Sequence, residues 1–88
     1  LDSGEPEARQ RADGSWLLSG AMPADEMAAL LYLELPERPG YDTVAGFILD
    51  GLKRIPEIGE IMEIEGWRFE VVDLDGRRID KVLASREA

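Results

Sequence analysis

The sequence contains no cysteine and no histidine in its 88 residues. The lack of cysteine excludes disulfide bonds, thiolate nucleophiles and zinc-thiolate sites within this chain. The lack of histidine excludes Ser-His-Asp and Cys-His nucleophile pairs and imidazole metal ligands. Carboxylate acid–base chemistry and oxygen-ligated metal chemistry stay open, and we expect a chain that is not an enzyme.

Basic residues and long apolar runs are also scarce. Ten Lys and Arg stand against nineteen Asp and Glu, which gives a formal net charge of −9. This charge repels phosphate backbones and anionic lipid surfaces, and it argues against nucleic acid as a partner. No apolar run approaches the ~20 residues that span a bilayer, so we expect no direct membrane insertion by this chain.

What is present fits one small domain. Hydrophobic residues make up 44% of the chain and charged residues 33%, an ordinary balance for a globular fold. The first stretch, 1–12, is polar and contains Gly4 and Pro6, which predicts a linker or disordered terminus joined to a longer polypeptide. We place the domain at 13–86 and a tail at 87–88.

The first predicted elements are a short strand and a helix. The turn pair Asp13-Gly14 precedes the apolar run 15–19, which predicts a strand. Pro23 suits the first helical position, and acidic residues follow it where the helix dipole favours them. Apolar residues at helical spacing then predict a helix over 23–32.

A second helix is predicted from Val44. Either Asp42 or Thr43 can cap its first amides, and apolar residues follow at spacings of three and four. Gly46 and Gly51 lower the intrinsic helicity by up to ~1 kcal/mol each relative to alanine. We therefore expect these glycines to let the helix pack closely on a sheet.

The rest of the chain predicts three strands joined by hairpins. Alternating residues indicate strands at 61–65, from Trp67 onward and at 78–84. Glu65-Gly66 suits a tight turn, and Asp75-Gly76 is the stronger hairpin signal, suited to two positive-φ positions. The predicted order is β-α-α-β-β-β, an α+β sandwich with two helices on one face of a mostly antiparallel sheet.

Four acidic residues near the hairpins are candidate metal ligands: Glu63, Glu65, Asp73 and Asp75. Carboxylate oxygens suit Mg²⁺ or Ca²⁺. No stretch matches a D-x-D-x-D-G loop, and alternating carboxylates on an exposed strand face are usually only solvated. Both interpretations stay open.

A basic group near the C-terminus is a candidate docking surface, with Arg77, Arg78 and Lys81 as candidate partner-binding residues. It could bind an acidic surface of the same protein, a phosphate group or a neighbouring copy. Alternatively, these side chains pair with aspartates across the turn.

Five blocks of sequence, in this order and spacing, carry a family resemblance: Asp13–Gly20, Leu35-Pro36, Tyr41–Gly46, Arg54–Glu60 and Asp75–Val82. Together they resemble the CorC/HlyC transporter-associated domain, over about 12–86. The resemblance implies a non-catalytic regulatory domain that follows a CBS pair in hemolysin-like or magnesium and cobalt efflux proteins. It also implies that the domain lies on the cytoplasmic side of a parent protein integral to the inner (plasma) membrane.

The resemblance further implies which partners and cofactors to consider. The expected partners are the CBS pair of the parent chain and a second copy of the domain. The fold of the family resembles part of PCMH-type FAD-binding proteins, so FAD enters by fold resemblance only, and this chain has no G-x-G-x-x-G fingerprint. We expect no cofactor beyond Mg²⁺ or Ca²⁺; the alternatives are a flavin- or nucleotide-binding module and an autonomous divalent-metal sensor.

Overall fold

The computed structural model describes residues 7–87, and residues 1–6 and 88 lie outside the described part. Its elements, in chain order, are β1 (Ala8–Gln10), β2 (Trp16–Ser19), α1 (Ala24–Leu31), α2 (Val44–Leu52), β3 (Ile61–Ile64), β4 (Trp67–Asp75) and β5 (Arg78–Arg86). Two helices and an antiparallel sheet make an α+β fold, which confirms the predicted fold class.

The sheet has the strand order β1-β2-β5-β4-β3, and every neighbouring pair is antiparallel. The C-terminal strand β5 lies in the centre, between β2 and β4. Both helices and two strands lie in sequence between β2 and β5, so this central pairing joins the two ends of the described chain. The edges of the sheet are β1 and β3.

Strand β1 was not predicted, because Ala8–Gln10 lies within the segment 1–12, whose composition predicts a linker. The strand pairs with β2, with Ala8 opposite Leu18 and Gln10 opposite Trp16. A tight turn aligns it, because the Arg11 N–H donates to the Ser15 carbonyl oxygen at 2.8 Å. The three residues Ala-Arg-Gln are too few to show an alternating pattern, and their pairing depends on the turn and on the apolar strand beside them.

The core lies between the helices and one face of the sheet, which we call the helix-covered face. Leu18, Phe69 and Val82 are fully buried there, and Trp67 is 7% exposed. Phe69 meets Phe47 of α2 edge to face, with ring centroids 5.3 Å apart. Each fully buried side chain of this size stabilises the fold by ~1.5–3 kcal/mol. The other side of the sheet, on which no helix of the described residues lies, is called the open face.

Helix α2 is capped by Thr43, whose side-chain oxygen accepts a hydrogen bond from the Gly46 N–H at 3.1 Å. The close-packing role predicted for the glycines holds for Gly51, which lies against the sulfur of Met62 on β3. For Gly46 the prediction was wrong, because a Cβ there would meet Tyr41 at 2.8 Å and not the sheet. That contact lies within the loop that leads into the helix.

The β3–β4 hairpin has the tight turn predicted at Glu65-Gly66, whereas the β4–β5 hairpin differs from its predicted turn. In the β3–β4 hairpin, Glu65 and Gly66 have φ values of 51° and 85°, the two positive values that a type I′ turn requires. In the β4–β5 hairpin, Asp75 is still in the strand and pairs with Arg78. The loop there is Gly76-Arg77, and only Gly76 has a positive φ, 63°, as in a type II′ turn.

Candidate functional site

The first two candidate metal ligands lie at the β3–β4 turn. Glu63 lies on the open face of β3, where its Oε2 is 3.9 Å from the Nε of Arg68. Glu65 occupies the turn and is exposed. The protonated carboxyl of Glu87 donates a hydrogen bond to Glu63, and this bond, followed by burial and by the negative charge of Glu63, raises the pKa of Glu87.

The other two candidate ligands lie near the β4–β5 turn. Asp73 lies opposite Lys81 in the register, and Asp75 accepts a hydrogen bond from Arg78 at 3.1 Å. The side chain of Lys81 donates to Asp80 at 3.1 Å. This bond, followed by one from Asp73, lowers the pKa of Asp80 below its ordinary value. Each carboxylate here is close to a cation of the chain itself.

The four candidate carboxylates are therefore divided between the two ends of β4. The strand length from Arg68 to Asp75 corresponds to ~23 Å at about 3.3 Å per residue. Within 7–87, no three Asp, Glu, His or Cys residues are grouped so that they could hold a metal ion. The carboxylates do not form one joint site, and metal binding by either pair stays a prediction.

The candidate partner-binding residues all lie on the β4–β5 hairpin. Arg78 is bound by Asp75, and Lys81 is bound by Asp80. Arg77 occupies the exposed turn and makes no ion pair within the described residues. The pairing across the turn that the sequence offered as one interpretation is present between Arg78 and Asp75, whereas Lys81 pairs with its neighbour Asp80 on β5. Docking through Arg77 stays a prediction.

A surface pocket of about 390 Å³ lies beside the start of α1. It is lined by Ala24, Asp25, Leu35, Pro39, Tyr41 and Asp42. The two helices begin side by side there, because the Ala24 N–H donates to the Asp42 carbonyl oxygen at 2.8 Å and the Val44 N–H donates to that of Met22 at 2.9 Å.

The lining of this pocket combines charge with apolar surface. Burial, and then the negative charge of Asp50, raises the pKa of Tyr41, so its hydroxyl stays neutral at physiological pH. The carboxylates of Asp25 and Asp42 are exposed. An aromatic ring near two carboxylates suits an organic or hydrated cation better than an anion. This group was not predicted from the sequence, because Asp25 and Tyr41 line one pocket only through the pairing of the two helix starts.

The segment 55–64, which leads into and includes β3, has a second feature that was not predicted from the sequence. Four isoleucines are partly exposed there: Ile55 at 42%, Ile58 at 62%, Ile61 at 38% and Ile64 at 37%. We call this group the isoleucine edge. The repeated spacing of three residues is the sequence signal that could have identified it, since it fits neither a strand period of two nor a buried helix.

A further result concerns the membrane. Among the residues that the structure describes, neither helix has the length and apolar character needed to cross a bilayer.

Comparisons with known proteins show which family the chain resembles. The chain matches CorC_HlyC, the transporter associated domain, over residues 9–88. It is 42% identical over 85 residues to UPF0053 protein sll0260 of Synechocystis. It is 36% identical over 83 residues to the Polyamine export protein of Escherichia coli (strain K12). Each alignment covers 93% of this chain but 19% of the relative, so the chain spans about one fifth of their length.

A solved structure matches over the whole domain. It is the transporter associated domain of a Xylella fastidiosa Temecula1 hemolysin in complex with Mg²⁺ and Mn²⁺, 41% identical to this chain. The match has a TM-score of 0.85 and covers 94% of this chain and 100% of the other. With its family match, its relatives and its α+β architecture in agreement, the chain belongs to the CorC_HlyC transporter-associated domain family.

Proposed function

We propose that this chain is a non-enzymatic regulatory domain of a protein that exports cations across a membrane. The family match over residues 9–88 is the observation that carries the proposal. Relatives that include the Polyamine export protein of Escherichia coli are about five times as long as the segment they share with this chain. In such a protein the transport path lies outside this domain, which acts on it by contact.

The chemistry of the chain supports a regulatory rather than catalytic role. It has no histidine or cysteine to act as nucleophile, base or soft metal ligand. The pocket beside α1 is open, and its two carboxylates are exposed to solvent. Water-exposed carboxylates lack the enclosed, preorganised surroundings on which catalysis by electrostatic stabilisation depends.

The second part of the proposal concerns the identity of the exported cation. The family resemblance suggested magnesium and cobalt, whereas one relative is named for polyamine export. All of these are cations, and the net charge of −9 gives the domain a surface that attracts any of them. We propose polyamines and divalent metals as the two substrate classes to compare, with the domain on the cytoplasmic side of an inner-membrane parent.

The partner of the domain is proposed to be the CBS pair of the parent chain. Arg77, at the exposed β4–β5 turn, provides one contact. Its guanidinium makes no ion pair within the described residues and could bind an acidic surface. Arg77→Glu in the full parent should weaken this contact while leaving the fold intact. Glu34→Lys, at another exposed position, is the control for a charge reversal elsewhere.

The experiment compares cells that produce the full parent with cells whose parent lacks residues 9–88. Efflux of spermidine, Mg²⁺ and Co²⁺ is measured after loading, with membrane levels of both proteins matched by immunoblot. We expect the truncated protein to export one class of cation at a changed rate, or at a changed internal threshold. Equal efflux of every cation from both strains would refute a regulatory role.

Direct metal sensing is a second candidate, because the Xylella fastidiosa domain was determined in complex with Mg²⁺ and Mn²⁺. An amide NMR titration with Mg²⁺ at constant ionic strength tests it. Saturable shifts confined to residues near Glu63, Asp73 or Asp42 would establish a sensor. Uniform small shifts would refute specific metal binding by this chain, and regulation by protein contact would then be the only proposal left.

The visible absorbance of the purified chain tests the flavin alternative, and a yellow bound chromophore would establish it.

A further inference from the structure

Strand β3 is an edge of the sheet with one side open. Among residues 7–87 it pairs only with β4, and it ends the strand order. The Val71 N–H donates to the Glu60 carbonyl oxygen at 2.9 Å, so the backbone groups of Glu60 face β4. Because residues of an antiparallel strand alternate in this respect, the N–H and C=O groups of Ile61 and Glu63 face outward. An edge of this kind is a template for another strand.

The usual protective devices are few on this edge. Natural edge strands are blunted by lysine, proline, bulges or a covering segment. The segment 57–65 contains no lysine and no proline, and the irregularities of register lie between β4 and β5. The opposite edge differs, because β1 has three residues and carries the exposed Arg9. Among the described residues, only the short length of β3 and its glutamates act against pairing with another strand.

The isoleucine edge adds exposed apolar side chains to the segment that leads into and forms β3. Its four members account for all the exposed large hydrophobic residues of the described chain except Tyr32. Ile61 lies on the open face, whereas Ile64 lies on the helix-covered face opposite Trp67. Exposed apolar side chains grouped beside an open strand edge are typical of a site for peptide addition.

The charges of the same segment have one sign. Between 55 and 66 the chain has four glutamates, Glu57, Glu60, Glu63 and Glu65, and no lysine or arginine. Arg54 binds Glu60 from outside this range, and Arg68 lies 3.9 Å from Glu63. Glu57 and Glu65 are exposed and make no ion pair within the described residues. A partner that approaches this edge meets apolar surface and uncompensated negative charge.

We propose that β3 accepts a sixth strand, an extended segment of alternating apolar and basic residues from the remainder of the parent transport protein. The backbone groups of Ile61 and Glu63 pair with the added strand. Its apolar side chains continue the helix-covered face next to Met62 and Ile64, and its Lys or Arg side chains lie on the open face near Glu63 and Glu65. That the added strand comes from the parent protein rests on the proposed function, whereas the availability of β3 for pairing does not.

A second copy of the domain fits this edge less well. Two antiparallel β3 strands related by a two-fold axis bring the glutamates of both copies together along one short ladder. Like charges across a ladder are destabilising, and each copy carries a net charge of −9. Charge complementarity therefore favours a basic segment over self-association.

The test uses the chain with an end-capped synthetic peptide of alternating lysine and valine. The control peptide has the same charge, with alternate valines replaced by proline so that it cannot pair as a strand. We expect saturable amide shifts at 60–65 and slower hydrogen exchange at Ile61 and Glu63 with the first peptide only. Equal shifts with both peptides, shifts elsewhere, or dimers of the free chain in sedimentation would overturn the proposal.

A charge reversal makes the test specific to the edge. Glu63→Lys should weaken binding of the lysine–valine peptide by about tenfold or more. Glu34→Lys changes the net charge equally in an exposed loop away from β3 and should bind as the original chain does. Equal weakening by both variants would overturn the proposal. If the peptide fails while deletion of the domain still alters export, the edge proposal falls and the regulatory function stands.

Discussion

Gly20 lies against the backbone carbonyl of Ile79 so closely that no side chain fits between them. The Gly20 N–H donates to the Asp80 carbonyl oxygen at 2.8 Å, and its own carbonyl accepts from the Ala45 N–H at 2.9 Å. This one residue therefore joins the end of β2 to the central strand β5 and to the first turn of α2. The junction fixes how the helices lie over the sheet.

The first prediction concerns this junction. Gly20→Ala places a methyl group on backbone atoms that cannot move aside, so we expect it to lower the free energy of unfolding by about 2–3 kcal/mol. Gly40→Ala is the matched control, because a Cβ there meets nothing within 4 Å. That variant should be neutral or gain ~0.4–1 kcal/mol from a less flexible unfolded chain. Urea unfolding measures both, and equal stability of the two variants would contradict the packing described.

The second prediction concerns the start of α2. Thr43→Ala removes the acceptor for the Gly46 N–H and should cost ~1 kcal/mol of stability. Thr43→Ser keeps the hydroxyl and should retain most of that stability. Thermal unfolding followed by circular dichroism separates the two. A serine variant as unstable as the alanine variant would indicate that the methyl group of Thr43, and not its hydrogen bond, supports the helix.

The third prediction concerns the turn before β2. The Ser15 hydroxyl donates to Asp13 Oδ1 at 2.6 Å, and the Ser15 N–H donates to the same oxygen at 2.9 Å. These bonds hold the pKa of Asp13 below its ordinary value of 3.8. Since the folded state favours the ionised carboxylate, the stability that Asp13 contributes is present above about pH 4 and is lost as the pH falls through its folded pKa.

Unfolding of the original chain and of Asp13→Asn across the acid range measures this effect. The difference in unfolding free energy should be largest near neutral pH and should shrink below about pH 4. In Ser15→Ala, the NMR-detected pKa of Asp13 should rise toward its ordinary value. A stability difference that is constant with pH would contradict the proposed linkage.

Sequence patterns predicted those parts of the fold that depend on local chemistry. The cap of α2 at Asp42 or Thr43 and the turn at Glu65-Gly66 follow from residue type, and the structure has the cap at Thr43 and the turn where it was predicted. Strand β1 could not be predicted, because Ala8–Gln10 has no periodicity and is held by its neighbour β2. The turn type at Gly76 was wrong, because the strand register extends through Asp75.

The candidate sites were harder to predict than the fold, since they depend on which residues the topology brings together. Glu63 and Asp73 are ten positions apart in sequence, yet they lie toward opposite ends of β4. Conversely, Asp25 and Tyr41 line one pocket although they belong to different elements. The isoleucine edge could have been predicted from the sequence, because isoleucine recurs every three residues from Ile55 to Ile64.

The central claim, that the domain regulates export by contact with its parent, is tested most directly in reconstituted vesicles. The parent without residues 9–88 is purified into liposomes, and this chain is added in increasing amounts on the side that the account proposes to be cytoplasmic. The account predicts that spermidine or divalent-cation transport changes saturably with the amount of chain added, and that Glu63→Lys is less effective than Glu34→Lys. Transport that stays the same at every amount of added chain, for every cation, would contradict it.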